Sequence, residues 1–195
     1  MSPSDPPPLV VVISGPSGAG KDTVINEALA LDGSLAKVAT AKTREPRPGE
    51  IEGLHHVFLT NDEFDRWVAE DAFLEHVTSY GHRSGVPRAA VEQLLAQGRT
   101  TILRTDVEGA RALKEKLDDP LLVFLTVTDV EALERRIRGR GAESESQIAV
   151  RLAEAEAEMA ESGWFDVTIF NAEGQQNDAA LELIAAIESE RRRRA

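Results

Sequence analysis

Leu9-Val10-Val11-Val12-Ile13-Ser14 runs straight into Gly15-Pro16-Ser17-Gly18-Ala19-Gly20-Lys21-Asp22-Thr23, and the rest of the chain is read outward from this stretch. The unbroken apolar, β-branched run is what a parallel strand buried on both faces requires. The glycines after it let backbone N–H groups turn inward around phosphate oxygens without a Cβ clash. Residues 22–31 read as a helix, whose N-terminus adds its positive dipole end. Lys21 is a mobile point charge suited to the β and γ phosphates of a nucleoside triphosphate, ATP. The predicted ATP-binding set is Gly15, Ser17, Gly18, Ala19, Gly20, Lys21, Asp22 and Thr23. A glycine-rich turn that holds no nucleotide is the plainer alternative.

One position departs from the usual loop. Ser or Thr ordinarily follows the lysine and meets Mg²⁺, whereas here Asp22 follows and Thr23 comes next. Asp22 either approaches the metal, directly or through water, or only favours the first helical turn. The candidate magnesium set is Asp22, Thr23 and Asp106.

Apolar runs recur at residues 100–103, 121–127 and 167–170, with helical patterns between them. That alternation predicts an α/β fold, a mostly parallel sheet flanked by helices with right-handed crossovers. Thr60 with Glu63, and Thr128 with Glu131, carry the capping-box spacing. Ile148, Leu152, Ala155 and Met159 form one helical stripe, and Gly163 is expected to end that helix. Residues 181–194 are amphipathic and close on Arg191-Arg192-Arg193-Arg194, read as a solvated tail favoured by the helix dipole rather than a nucleic-acid contact. Residues 43–88 break the rhythm, with short strand-like pieces at 55–59 and 74–78. They are expected to be a small mixed α/β insertion that holds the second substrate; a surface excursion is the alternative. His55, His56, His76 and His82 all fall there, and the adjacent pair His55 and His56 would point oppositely on a strand. A structural or substrate-contact role is therefore favoured over a metal site.

The bulk numbers bound the rest. The 195 residues, 42% apolar and 29% charged, suit one α/β domain. A net charge of -12 argues against nucleic acid as a partner but leaves room for a local arginine pocket. Without cysteine there is no disulfide framework, thiolate metal site or Cys nucleophile. No apolar run is long enough to span a membrane. Residues 1–8 lack the basic and apolar parts of a signal and read as a disordered lead, so a cytoplasmic enzyme is expected.

The loop GPSGAGK, the run Thr43-Arg44-Glu45-Pro46-Arg47-Pro48-Gly49-Glu50, Phe73-Leu74-Glu75, Asp106-Val107-Glu108-Gly109, and Arg140-Gly141-Ala142-Glu143-Ser144 with Arg151 follow the order and spacing of guanylate kinases. The resemblance spans residues 9–185. It implies ATP-dependent phosphorylation of GMP, or dGMP, to the diphosphate with Mg²⁺, in a monomer or homodimer. It also implies a core (residues 9–42 and 89–195), an acceptor-binding region (43–88) and a helical lid (136–151). By resemblance Lys21, Arg136, Arg140 and Arg151 are catalytic. Thr40, Arg44, Arg47, Glu50, His56, Glu75, Ser84, Arg104 and Asp106 bind the acceptor. Arg44 and Arg47 offer two guanidinium forks for one phosphate, unless they pair with Glu45 and Glu50 instead. Glu75 would accept from guanine's N1–H and 2-amino group. Asp106, just past a strand end, is a water-mediated magnesium partner or an acceptor contact.

The match fails in one concentrated place. His56 and Ser84 stand where the family has tyrosines, Val86 replaces a small hydroxyl residue, and the lead into the arginines is Thr40-Ala41-Lys42. Arg104 occupies a position that is usually acidic, and a guanidinium accepts no hydrogen bond. Either Arg104 pairs with Glu75 or Asp106, or the pocket is retuned for another acceptor. The Lys21-Asp22 pair also resembles ribose 1,5-bisphosphate phosphokinases, and a non-catalytic binding module of the same family is a third reading. The retained Arg44, Arg47, Glu50 and Glu75 favour GMP.

Overall fold

The computed structural model describes residues 8–79, 81–128, 130–138 and 145–195. Most of the expected N-terminal lead, and Arg140, therefore lie outside the described residues.

Among the described residues the strands form two sheets. In the larger, β1 (Val10–Ser14) lies at the centre, between β7 (Thr100–Arg104) and β8 (Leu121–Thr126). β2 (Leu35–Lys37) lies outside β7 and β9 (Val167–Phe170) outside β8, and every pairing is parallel. Alternate side chains of β1 serve opposite faces. Val11 and Ile13 pack on Val24, Ile25 and Ala28 of α1 (Lys21–Leu31) and on Ala180, Leu183 and Ile187 of α7 (Gln176–Arg194). Val12, with Leu103 and Leu122, packs on Val91 of α3 (Arg88–Ala96) and on Ala110 and Leu113 of α4 (Val107–Lys116). With both faces covered, the apolar run at 9–14 has no solvent side, which is why it lacks alternation.

The second sheet has the order β4 (His56–Phe58), β3 (Thr40–Lys42), β6 (His82–Pro87), β5 (Phe73–Ser79), with β3 and β4 parallel and the other pairs antiparallel. Residues 43–88 supply three of these strands and β3 precedes them. Neither β3 nor β6 was anticipated, because Thr40-Ala41-Lys42 and His82-Arg83-Ser84 are polar and acquire partners only across the sheet. α2 (Asn61–Ala69) starts with the capping box expected of Thr60 and Glu63. Its Phe64 stacks on Phe73 with ring centroids 4.6 Å apart. Leu74 and Val86 reach into the same core as Val12, so the small sheet is tied to the large one.

α5 (Val130–Arg138) and α6 (Glu145–Ala160) meet through Leu133, Ile148 and Ala155. Gly163 does not end α6: the helix stops at Ala160 and a 3₁₀ turn, Glu161–Trp164, contains the glycine. The stop comes where Trp164 and Phe165 stack, 4.0 Å between centroids, against the core under α4. The terminal arginines are a solvated tail only in part: Arg192 and Arg193 are exposed, whereas Arg191 is not. Arg191 is 6% exposed and donates to Glu188, Ser34 and Thr100, while Arg193 and Arg194 pair with Glu190 and Asp119. The helix turns its 191 position inward, which composition alone does not reveal. Among the described residues no helix is long and apolar enough to cross a membrane.

Candidate active site

The loop between β1 and α1 has the shape that its glycines permit. Gly15, Gly18 and Gly20 take φ of 135°, 92° and 89°, values that side chains strain to adopt. A Cβ on Gly15 would overlap the carbonyl oxygen of Leu125, the neighbouring strand's backbone. Lys21 folds back over the loop and donates through Nζ to Gly15 O and, at 3.1 Å, to Pro16 O. Burial pushes the Lys21 ammonium down to about 8, with Glu158 opposing and Arg104 reinforcing the shift. A phosphate group would restore its charge. Ser17, Gly18, Gly20, Lys21, Asp22, Thr23 and Arg104 line a cleft of about 160 Å³.

Three elements beyond the loop hold it. Asn171, buried just past β9, donates through Nδ2 to Ala19 O at 2.7 Å. Arg136 on α5 donates to Ala19 O at 3.1 Å and Asn171 O at 2.8 Å, so its guanidinium braces the loop's carbonyl side. From α6, Arg151 donates to Ser17 Oγ at 2.5 Å, and Glu158 accepts from Ser17 N–H at 3.3 Å. Asn171 and Glu158 are absent from the sequence-based set. Asn171 had a signal in its place at the carboxyl end of a parallel strand, where α/β ligands gather. Glu158 had none, being one of several glutamates along a helix.

Asp22 accepts from Lys37 Nζ at 2.7 Å, and Arg104 Nε lies 3.2 Å from the same oxygen. Arg104 therefore pairs across the cleft with Asp22 and not with Glu75 or Asp106. These two cations, Arg104 foremost, and Lys21 hold the Asp22 carboxyl below its ordinary value against the opposing effect of burial. Thr23 lines the cleft beside it. Asp106 caps α4 by accepting from Gly109 N–H at 2.7 Å through Oδ1. Among the described residues no three His, Cys, Asp or Glu side chains are grouped to hold a metal. His55 Nδ1 accepts from Ile51 N–H, and His76 packs against Phe64 and Phe73.

On the acceptor side, Arg44 and Glu50 form a bidentate pair, 2.6 Å at each oxygen. Glu50 also accepts from the Arg47 N–H at 2.8 Å, which closes the turn that carries both arginines. The pairing of Arg44 with Glu50 raised from the sequence is thus present, while Glu45 contributes only its carbonyl oxygen. His56 Nδ1 shares a hydrogen with Thr40 Oγ1 at 2.9 Å, and its Nε2 faces Glu50 at 3.5 Å. Burial, then the Lys42 charge, pushes His56 down to about 4, so the ring is neutral near pH 7. Glu75 is 7% exposed, and burial followed by the nearby Asp106 charge pushes it up to about 7. Lys42 donates to Ser84 Oγ at 3.4 Å and is pushed down to about 8 by burial and by Arg104 and Arg44. Lys42, absent from the sequence-based set, thus lies near enough to feel the charge of Arg104 and Arg44 and to act on Glu75.

The sequence profile of the guanylate kinase family matches residues 8–190. A guanylate kinase of Thermobifida fusca is 41% identical over 184 residues, 94% of this chain and 94% of the relative. That of Rubrobacter xylanophilus is 41% identical over 162 residues, 83% of this chain and 85% of the relative. Among solved structures, the guanylate kinase of Anaplasma phagocytophilum superposes with a TM-score of 0.75 at 24% identity, covering 96% of this chain and 88% of that one. The two share a fold.

Proposed function

Because the chain belongs to the guanylate kinase family, we infer that it transfers the γ-phosphoryl group of ATP to GMP, giving ADP and GDP. The observation that carries this reading is the 41% identity to a guanylate kinase over 94% of the chain, on a loop whose lysine and glycines are in place to grip phosphate. An oxygen of the GMP phosphate attacks the γ-phosphorus as the bond to the β–γ bridging oxygen breaks. Catalysis of such a transfer is mostly positioning and charge stabilisation.

The loop amides and Lys21 hold the triphosphate. Arg136 keeps the loop in shape through Ala19 O, and Arg151, which donates to Ser17 Oγ, stabilises the transferring group together with Arg140. Arg44, Arg47, Thr40, His56 and Ser84 receive the acceptor phosphate, and Glu50 aligns Arg44. Glu75 reads the guanine edge. Residues 43–88 serve as the acceptor-binding region and 136–151 as the lid.

The oxygen donors near the loop suit a hard cation that arrives on phosphates rather than in a protein cage. Thr23 and Asp106 would hold Mg²⁺, which supplies neutralisation of the β and γ oxygens. Asp22 would join them only by giving up Lys37 or Arg104. The cytoplasm, where both nucleotides occur, is the matching compartment.

The test is ADP release from Mg·ATP with GMP, dGMP, AMP, CMP, UMP or ribose 1,5-bisphosphate as acceptor. Turnover led by GMP is expected. Equal or better turnover with an acceptor lacking guanine would remove Glu75 from its role and overturn the reading.

A further inference from the structure

Lys21, Lys42, Arg44 and Arg104 crowd one region of the cleft. Arg44 arrives already paired, since both of its terminal nitrogens engage Glu50. Asp22 is shared between Lys37 and Arg104. Lys42 makes no ion pair among the described residues; it donates to the neutral hydroxyl of Ser84. Arg104 Nε is buried without a hydrogen-bond partner among the described residues, although Asp22 Oδ1 is near, so that contact is one of charge alone. Half-buried cations that crowd one another are costly unless an anion joins them. In a chain of net charge -12, such a cluster is not a by-product of composition.

The two side chains come from separate elements that converge on one place. Arg104 ends β7, in register with Ile13 of β1, so it flanks the phosphate loop and lines its cleft. Lys42 ends β3, opposite Ser84 of β6 and two residues before Arg44. Each is close enough to affect the ionisation of residues on the other's side: Arg104 acts on Lys21 and on Lys42, and Lys42 on His56 and Glu75. They thus form one cationic path from the donor loop to the acceptor pocket.

We propose that Lys42 and Arg104 bind the acceptor phosphate directly, Lys42 from the acceptor side and Arg104 across the gap to the donor loop. Lys42 contributes a point charge where Ser84 offers only a short hydroxyl. Arg104 leaves Asp22 to Lys37 and turns its fork between the two reacting phosphates, which serves both affinity and the transfer step. The inference rests on GMP being the acceptor.

Steady-state kinetics of the full chain, with GMP and ATP varied in turn, test it using Lys42→Ala, Lys42→Arg, Arg104→Gln and Arg104→Lys. Lys42→Ala should raise the KM for GMP roughly ten- to a hundredfold, as expected for loss of one charge-assisted contact, with the KM for ATP within about twofold. Lys42→Arg should recover most of that loss. Arg104→Gln should raise the KM for GMP and also lower kcat by about tenfold or more, with partial recovery in Arg104→Lys. If Lys42→Ala and Arg104→Gln both keep the KM for GMP within twofold of the wild type, the inference falls while the kinase reading stands. Losses that the charge-retaining variants share in full, together with a lowered melting temperature, would make both residues structural and overturn it too. A wild-type protein that does not phosphorylate GMP would overturn the functional reading and this inference with it.

Discussion

Arg191 donates through Nη2 to Thr100 Oγ1 at 2.7 Å, a bond from the last helix to the first residue of the strand that ends at Arg104. The same nitrogen reaches Ser34 Oγ at 3.0 Å, and Nη1 reaches Glu188 at 2.6 Å. The guanidinium thus joins α7, β7 and the approach to β2 beneath the sheet. Arg191→Ala leaves buried hydroxyls unpaired and opens a void, and should cost about 2–4 kcal/mol in urea unfolding. A change under about 0.5 kcal/mol would show that the buried guanidinium is no better than solvated.

Lys21→Ala should lower kcat at least about a hundredfold, near 3 kcal/mol of transition-state stabilisation, as for other preorganised charges aimed at a transferring group. The wild-type pH profile carries a second signature. In the free protein Lys21 loses its proton as pH rises through about 8, because burial lowers it. Therefore kcat/KM for ATP should fall above that pH, whereas kcat, which reports the complex where phosphates keep the ammonium charged, should hold to higher pH. Parallel profiles would contradict this.

Glu75→Gln separates stability from recognition. The folded chain raises Glu75 to about 7, against an ordinary value near 4.5. A raised carboxyl favours folding below its unfolded pKa, and that contribution is lost as pH rises through about 7. The glutamine never ionises, so at pH 8 the variant should be more stable than the wild type, by up to about 3 kcal/mol, and the gap should close toward pH 4.5. At the same time kcat/KM for GMP should fall roughly ten- to a hundredfold through loss of a charged acceptor. Thermal unfolding at the two pH values, beside kinetics, checks both signs.

Gly15→Ala tests the loop's backbone. The new Cβ would meet the carbonyl of Leu125 at a φ of 135°, so loop or strand must shift. Loss of at least about 2 kcal/mol in stability, and of measurable Mg·ATP binding by calorimetry, is expected. Wild-type binding would mean that this glycine is not required for the grip on phosphate.

His56→Tyr should preserve or improve the KM for GMP. The ring is neutral near pH 7, so what it can offer the acceptor is one N–H, which a phenol hydroxyl can replace. A KM raised more than about tenfold would remove His56 from the acceptor contacts and leave it as the partner of Thr40.

Much of this was written in local chemistry. The run at 9–14, the glycines and Lys21 require a buried strand, a left-handed turn and a helix start wherever they occur, because those demands are met by neighbours in sequence. The capping box of Thr60 and Glu63 is equally local and appears as expected. By contrast, β3 and β6 are polar segments that become strands only through partners across the small sheet, and Arg191 reads as one of four tail arginines until α7 turns it inward.

The sequence by itself determined the α/β order and the phosphate-gripping loop, since each rests on contacts within about ten residues. It also placed Arg44, Arg47, Glu50 and Glu75 in one excursion from the βα rhythm. Only the tertiary structure decided what each charge faces: Arg104 meets Asp22 rather than Glu75, Arg44 is already paired with Glu50, Arg136 and Asn171 hold Ala19 from strands and helices far along the chain, and Lys42 forms no ion pair among the described residues but donates to Ser84. The physical reason is that charge pairing acts over a few ångströms between elements separated by tens of residues, a distance that no pattern along the chain encodes.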